Sequence, residues 1–189
     1  MKTFELTGSK RESTGKKAAK AYRKDSLVPC VLYGGNEVVH FTVTKESIRK
    51  LIYTPEVHIV NLSVEGKNYT AILKEMQTHP VSDEVIHVDF LQIFENKPVV
   101  LEIPIVLEGL AQGVKDGGKL SMDMRNLKVK GLYKNFPEKL VINIESLGLG
   151  KTIQVGNLHF DNLELLNAKD NVVAAVKVTR AAKGTTPAK

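Results

Sequence analysis

The chain has 189 residues, 42% of them hydrophobic and 25% charged, with a formal net charge of +6 and a single cysteine. That gives room for two small domains with ordinary packed cores and excludes an internal disulfide framework. No apolar run approaches the roughly 18 residues of a membrane-spanning helix, and the start, MKTFELTGSKRE, has no apolar segment behind Lys2, so neither a membrane span nor a secretory leader is expected.

In chain order, FEL at 4–6 alternates and predicts a short first strand. STGKKAAKAYRK reads as a basic turn entering a short helix, with Ser13 or Thr14 as its cap. VPCVLY at 28–33 is extended, because Pro29 keeps Val28 out of the helical region; Cys30 is expected there as a small hydrophobe. VVHFTVT at 38–44 is a strand. KESIRKLIY at 45–53 places Ile48, Leu51 and Ile52 on one helical face behind a Thr44 cap. VHIVNLSV and NYTAILKE flank EGK, a hairpin signal, and EVIHVDFLQI at 84–93 is the last strand of this half. The expected fold is β-rich and in two domains. Residues 1–94 form an α+β domain with short helices, a curled sheet or small barrel, and 95–98 are a linker.

Residues 99–179 read as an all-β second domain. Pro104 inside VVLEIPIVLEG marks an edge or broken strand, and AQGVKDGGKLS at 111–121 a long glycine-rich loop. NLKVKGLY, KLVINIE, KTIQVGNL, LELLN and NVVAAVKV supply the strands. Residues 180–189 are poor in large apolar side chains and are expected to be a disordered basic tail.

The charge is concentrated. Residues 10–24, KRESTGKKAAKAYRK, carry seven Lys or Arg against one Glu, and residues 1–24 hold the whole net charge of +6. A localised positive potential points to a polyanionic partner, against the blander reading of a solvated face.

Three motifs bear on chemistry. ESLGLGKT at 145–152 ends like a phosphate-cradling loop, but the position that needs glycine is Glu145, so it reads as an ordinary loop. In IHVDF, His87 and Asp89 share one strand face, roughly 6–7 Å apart. They suit acid–base work, a metal site with His79, or a polar face that reads a ligand. No serine or cysteine motif joins them, and no metal-ligand spacing is complete. Tyr33, at the end of an apolar strand before Gly34-Gly35, suits stacking or hydroxyl contact to RNA, or else is a core tyrosine.

GKKAAKAYRKDSLVPCVLYGG, followed by KEMQTHPVSDEVIHVDF, resembles the L-twenty-five/CTC family of bacterial large-subunit ribosomal proteins that bind 5S ribosomal RNA. AQGVKDGGKLS, FPEKLVINIESLGLGKTIQVGNL and NVVAAVKV resemble the C-terminal β domain of the same family. The resemblance implies a barrel-like domain docked on the loop E region of 5S rRNA through a basic helix-and-turn face and the last strand. Carried over residue by residue, it implies RNA-binding roles for Arg11, Lys16, Lys20, Arg23, Tyr33, Gln77, His87 and Asp89. It also implies a cytoplasmic, non-enzymatic protein, monomeric within the ribosome, with no cofactor, metal or membrane. Its second domain would contact neighbouring ribosomal proteins or rRNA. Where the family has GKGAS this chain has GKKAA, and Ala21 and Tyr22 thin its arginine-rich helix.

Within that frame, Lys and Arg neutralise phosphates and position the protein, while His87 donates and Asp89 accepts from bases or 2′-hydroxyls. An aspartate facing RNA makes sense only as the acceptor of a specific hydrogen bond or beside a bound cation. The alternatives are a stress-associated paralogue binding the same RNA, a hydrolase using His87 and Asp89, and a membrane-surface protein using the basic segment.

Overall fold

The computed structural model describes residues 1–54 and 56–179; the expected tail at 180–189 lies outside them. The chain divides into two compact units. Among the described residues, one comprises Met1–Val99 with Leu132–Lys134, the other Val100–Gly131 with residues 135–179.

The first unit is a closed six-stranded barrel carrying two helices. Its elements are β1 (Lys2–Lys10), α1 (Lys16–Lys24), β2 (Leu27–Tyr33), β3 (Val39–Thr44), α2 (Lys45–Ile52), β4 (His58–Val64), β5 (Lys67–Thr78) and β6 (Val85–Gln92). The order around the barrel is β1-β3-β2-β6-β5-β4. β1 closes it by pairing in parallel with β4, from Lys2 opposite His58 to Gly8 opposite Val64. β2 and β6 are also parallel. Strand alternation fills the interior: Cys30, Leu32, Phe41, Val60, Val88 and Phe90 are fully buried. Phe41 and Phe90 meet with ring centroids 5.7 Å apart. Closure leaves no sheet edge to template aggregation.

Local chemistry explains the boundaries. Gly8 has no room for a side chain, because a Cβ there would stand 2.6 Å from Phe41 Cδ2. Thr44 caps α2 as expected, its Oγ1 accepting from Ser47 N at 3.3 Å. Ile48 and Leu51 are the buried stripe of that helix. Neither Ser13 nor Thr14 caps α1. The cap position is Gly15 at φ 104, without a side-chain hydrogen bond. Ser13 instead lies with its Oγ 3.4 Å from the Tyr22 hydroxyl.

The second unit holds most of β7 (Val99–Glu108), then α3 (Gln112–Lys115), β8 (Lys119–Met122), β9 (Asn126–Gly131), β10 (Leu140–Asn143), β11 (Thr152–Gln154), β12 (Glu164–Leu165) and β13 (Val172–Lys177). They make a four-stranded sheet, β10-β7-β9-β12, and a three-stranded sheet, β11-β13-β8. Two sequence expectations need correction. β7 is neither broken nor at an edge: it runs unbroken between β10 and β9. Pro104 is tolerated because the ladder with β10 begins one residue later, with Leu140 opposite Ile105. The glycine-rich stretch 111–121 is not simply a loop. It holds a single helical turn, closed by Asp116 N donating to Gln112 O, and then β8, paired with β13. Residues 145–151 form turns, and the Gly150 N–H donates to Val176 O at 2.9 Å, so it is not free for a phosphate.

Candidate nucleic-acid interface

α1 forms because Ala and Lys favour the helix, and it rests on β2 through half-buried Ala18, Ala19 and Tyr22. Lys16, Lys17, Lys20 and Lys24 are exposed. Lys16 and Lys20, four apart, share a face. The charge distribution is unfavourable for the free protein. The first turn contains no acid, so Lys16 and Lys17 sit at the positive end of the helix dipole beside uncapped N–H groups. An anion brought to that turn relieves both.

The two arginines are fixed to the barrel. The Arg11 N–H donates to His40 O at 2.9 Å, and its guanidinium lies over the Tyr22 ring, 5.3 Å from the centroid. Arg23 donates from Nε to Ile86 O at 3.1 Å, tying α1 to β6. Its other guanidinium nitrogens point a planar donor set away from that bond.

Strand register builds the rest of the face. His40 on β3 is opposite Val31 on β2, Val31 is opposite Asp89 on β6, and Asp89 is opposite Glu75 on β5. Arg11 extends this row past β3. Residues opposite one another share a side, and the neighbours Cys30, Phe41, Val88 and Phe90 are buried inside, so the row lies on the outer wall. One step along, Gln77 is opposite His87. The barrel thus gathers Arg11, Arg23, Gln77, His87 and Asp89 on its β5–β6–β2–β3 side. Tyr33 joins them. Its phenol pKa is raised above 10.0, first by partial burial and then by the nearby Asp89 and Glu75 carboxylates. Lys16 and Lys20 stand on the exposed side of α1, beside this wall.

His87 and Asp89 come closer than strand spacing alone predicts. Nδ1 and Oδ1 are 2.7 Å apart, an ion-pair separation when the ring is protonated. The approach lacks hydrogen-bond geometry. Asp89 Oδ1 and Arg11 Nε are the buried side-chain atoms without a hydrogen-bond partner among the described residues. An unsatisfied Arg11 Nε costs about 1–3 kcal/mol unless a ligand supplies the partner, whereas Asp89 Oδ1 has the His87 ring nitrogen beside it.

The family model described as Ribosomal L25p family matches residues 6–90, and that of Ribosomal protein TL5, C-terminal domain, matches residues 98–180. The chain is 70% identical over 186 residues to the large ribosomal subunit protein bL25 of Azobacteroides pseudotrichonymphae, covering 98% of both chains. The chain belongs to the ribosomal L25p family. It is also 61% identical to bL25 of Porphyromonas gingivalis, and 59% identical to bL25 of Parabacteroides distasonis, each over 97% of both chains.

Several parts of this L25p face are not evident from sequence. Glu75 is the main one: in KEMQT it looks like any exposed charge, and only the extra residue Lys74, a bulge that resets the β5 register, brings it opposite Asp89. Tyr22, as the seat of Arg11, and His40, as its backbone partner, are equally invisible without the β1–β3 pairing. His79 stands apart: its Nδ1 accepts from Val81 N and Ser82 N at 3.3 and 3.2 Å, which organises the 79–84 turn. No group of three or more His, Cys, Asp or Glu is placed to hold a metal among the described residues. No helix among them is long and apolar enough to cross a membrane. Cys30 is buried in β2, and burial, ahead of the Asp89 charge, pushes its thiol pKa far up.

Proposed function

We propose that this L25p protein is a non-enzymatic, structural component of the bacterial large ribosomal subunit in the cytoplasm, and that its barrel binds 5S rRNA in the loop E region. The carrying observation is the pair Arg11 Nε and Asp89 Oδ1 on one row of the outer wall, neither making a hydrogen bond, with Asp89 Oδ1 2.7 Å from His87 Nδ1. One is a donor and the other an acceptor, as a base edge or ribose hydroxyl requires. α1 supplies the phosphate contacts: exposed Lys16 and Lys20, an uncapped first turn, and Arg23 held on the wall by Ile86. The resident bL25 names of the relatives support the ribosomal setting. The second unit, in this reading, contacts neighbouring ribosomal proteins or rRNA, and the protein acts as a monomer within the ribosome.

Hydrolysis fits less well. The sole thiol, Cys30, is buried on the inner side of β2, so it cannot serve His87 as a nucleophile.

Hydrogen exchange of the full chain, with and without 5S rRNA, tests the reading. Protection is expected in α1, the 77–89 segment and around Tyr33, and not with an unrelated structured RNA. Equal protection by both RNAs, or protection confined to the second unit, contradicts it.

A further inference from the structure

The wall just described continues into a cleft at one end of the barrel. The cleft has a volume of about 240 Å3 and is lined by Lys10, Arg11, His40 and Lys67, with Glu37 and Glu65 also facing it. Arg11 and His40 belong both to this cleft and to the row that ends at Asp89 and Glu75. The cleft therefore begins where the row stops. Asp89 and His40 are two strand spacings apart, about 10 Å.

Its electrostatics are unusual. Lys10, His40 and Lys67 are exposed, and Arg11 is half-buried with an unpartnered Nε. Among the described residues none of Lys10, Arg11, Lys67, Glu37 and Glu65 makes an ion pair, although both signs line the same space. The cations outnumber the acids and remain available. A concave, net-positive surface with a buried guanidinium edge suits the phosphodiester backbone of a nucleic acid strand.

We propose that this cleft is a second backbone-binding site for the same RNA, in which Lys10 and Lys67 neutralise phosphates of the strand leaving the β5–β6 face, with Arg11 bridging the two sites. The proposal rests on the 5S rRNA reading above and adds to it the path of the strand around the barrel end. These lysines position the RNA and do not read its sequence. Glu37 sets a limit on affinity by facing the same phosphates.

The test is the salt dependence of 5S rRNA binding by the full chain, comparing wild type with Lys10→Gln/Lys67→Gln. Each lost phosphate contact flattens the plot of log K against log salt by about 0.7–0.9, so the double variant should flatten by about 1.4–1.8. Its preference for 5S rRNA over unrelated RNA should be unchanged. Glu37→Gln should tighten binding without altering that preference. Lys115→Gln/Lys119→Gln, in the second unit, removes the same net charge and should keep the wild-type slope. A wild-type slope for the Lys10/Lys67 variant overturns the cleft while leaving the 5S reading intact, and so does an equal flattening in the Lys115/Lys119 control. A wild-type protein with no preference for 5S rRNA overturns both.

Discussion

Asp89 Oδ1 lies 2.7 Å from His87 Nδ1 on its own strand and directly opposite Glu75 on the next. Two carboxylates facing each other across a pair of strands cost the free protein roughly 0.2–1 kcal/mol, and Asp89 Oδ1 gains no hydrogen bond in return. In the proposed function this arrangement serves the RNA partner rather than folding. Asp89→Asn should therefore leave stability in urea unchanged or raised, while the preference for 5S rRNA over unrelated RNA falls by about tenfold, the loss of about one good hydrogen bond to a charged acceptor. Equal losses for both RNAs would remove Asp89 from recognition.

Lys16 provides a test with opposite signs. It occupies the first turn of α1, where the helix dipole favours an acid. Lys16→Glu should raise the thermal stability of the free protein, by about 0.3–1 kcal/mol, and weaken 5S rRNA binding sharply. A variant that is both more stable and fully competent in binding would show that the first turn of α1 meets no phosphate.

In the proposed function Arg23 has two tasks, a tether and a phosphate contact, and two substitutions separate them. Its Nε bond to Ile86 O tethers α1 to β6. Arg23→Ala should lose that tether, about 1 kcal/mol, as well as one phosphate contact. Arg23→Lys keeps the charge but not the planar donor set, so the salt slope should persist while the tether weakens. Unfolding in urea and a salt titration on both variants check this; an unchanged slope for Arg23→Ala would assign Arg23 to structure alone.

The first half of the fold was readable because barrel strands alternate. Inside residues such as Phe41, Val43, Val88 and Phe90 are apolar, and their neighbours face outward. Strand length was less readable. β1 reaches Lys10, beyond the expected FEL, because β4, more than fifty residues away, pairs it as far as Gly8 and β3 then pairs Ser9 and Lys10, making a strand of residues such as Gly8 whose own propensity for it is weak. Pro104 and the glycines of 111–121 misled for the same reason, since tertiary pairing decides there. At the site, the residue types of Arg11, Arg23, His87 and Asp89 were visible as a pattern. Glu75, Tyr22 and His40 were not, because a bulge and cross-strand register bring them in, and neither leaves a local mark.

Tyr33 links the site to alkaline pH. Its phenol pKa is raised in the folded protein, so the folded state holds its proton more tightly than the unfolded chain does. The resulting stabilisation is present in full below the ordinary value of 10.0 and is lost as pH rises through the raised value. The stability of wild type relative to Tyr33→Phe should thus shift in favour of the phenylalanine variant as pH rises from about 10 upward. A difference that stays constant from neutral pH to above 11 would contradict the placement of the phenol beside Asp89 and Glu75.

The most direct measurement is an equilibrium titration of the full chain against 5S rRNA and an unrelated structured RNA of equal length, at physiological salt. A preference of about a hundredfold or more for 5S rRNA is the predicted result, since specific nucleic-acid complexes usually exceed that margin. Weak and equal binding to both would reduce the basic helix to an electrostatic patch and contradict the account.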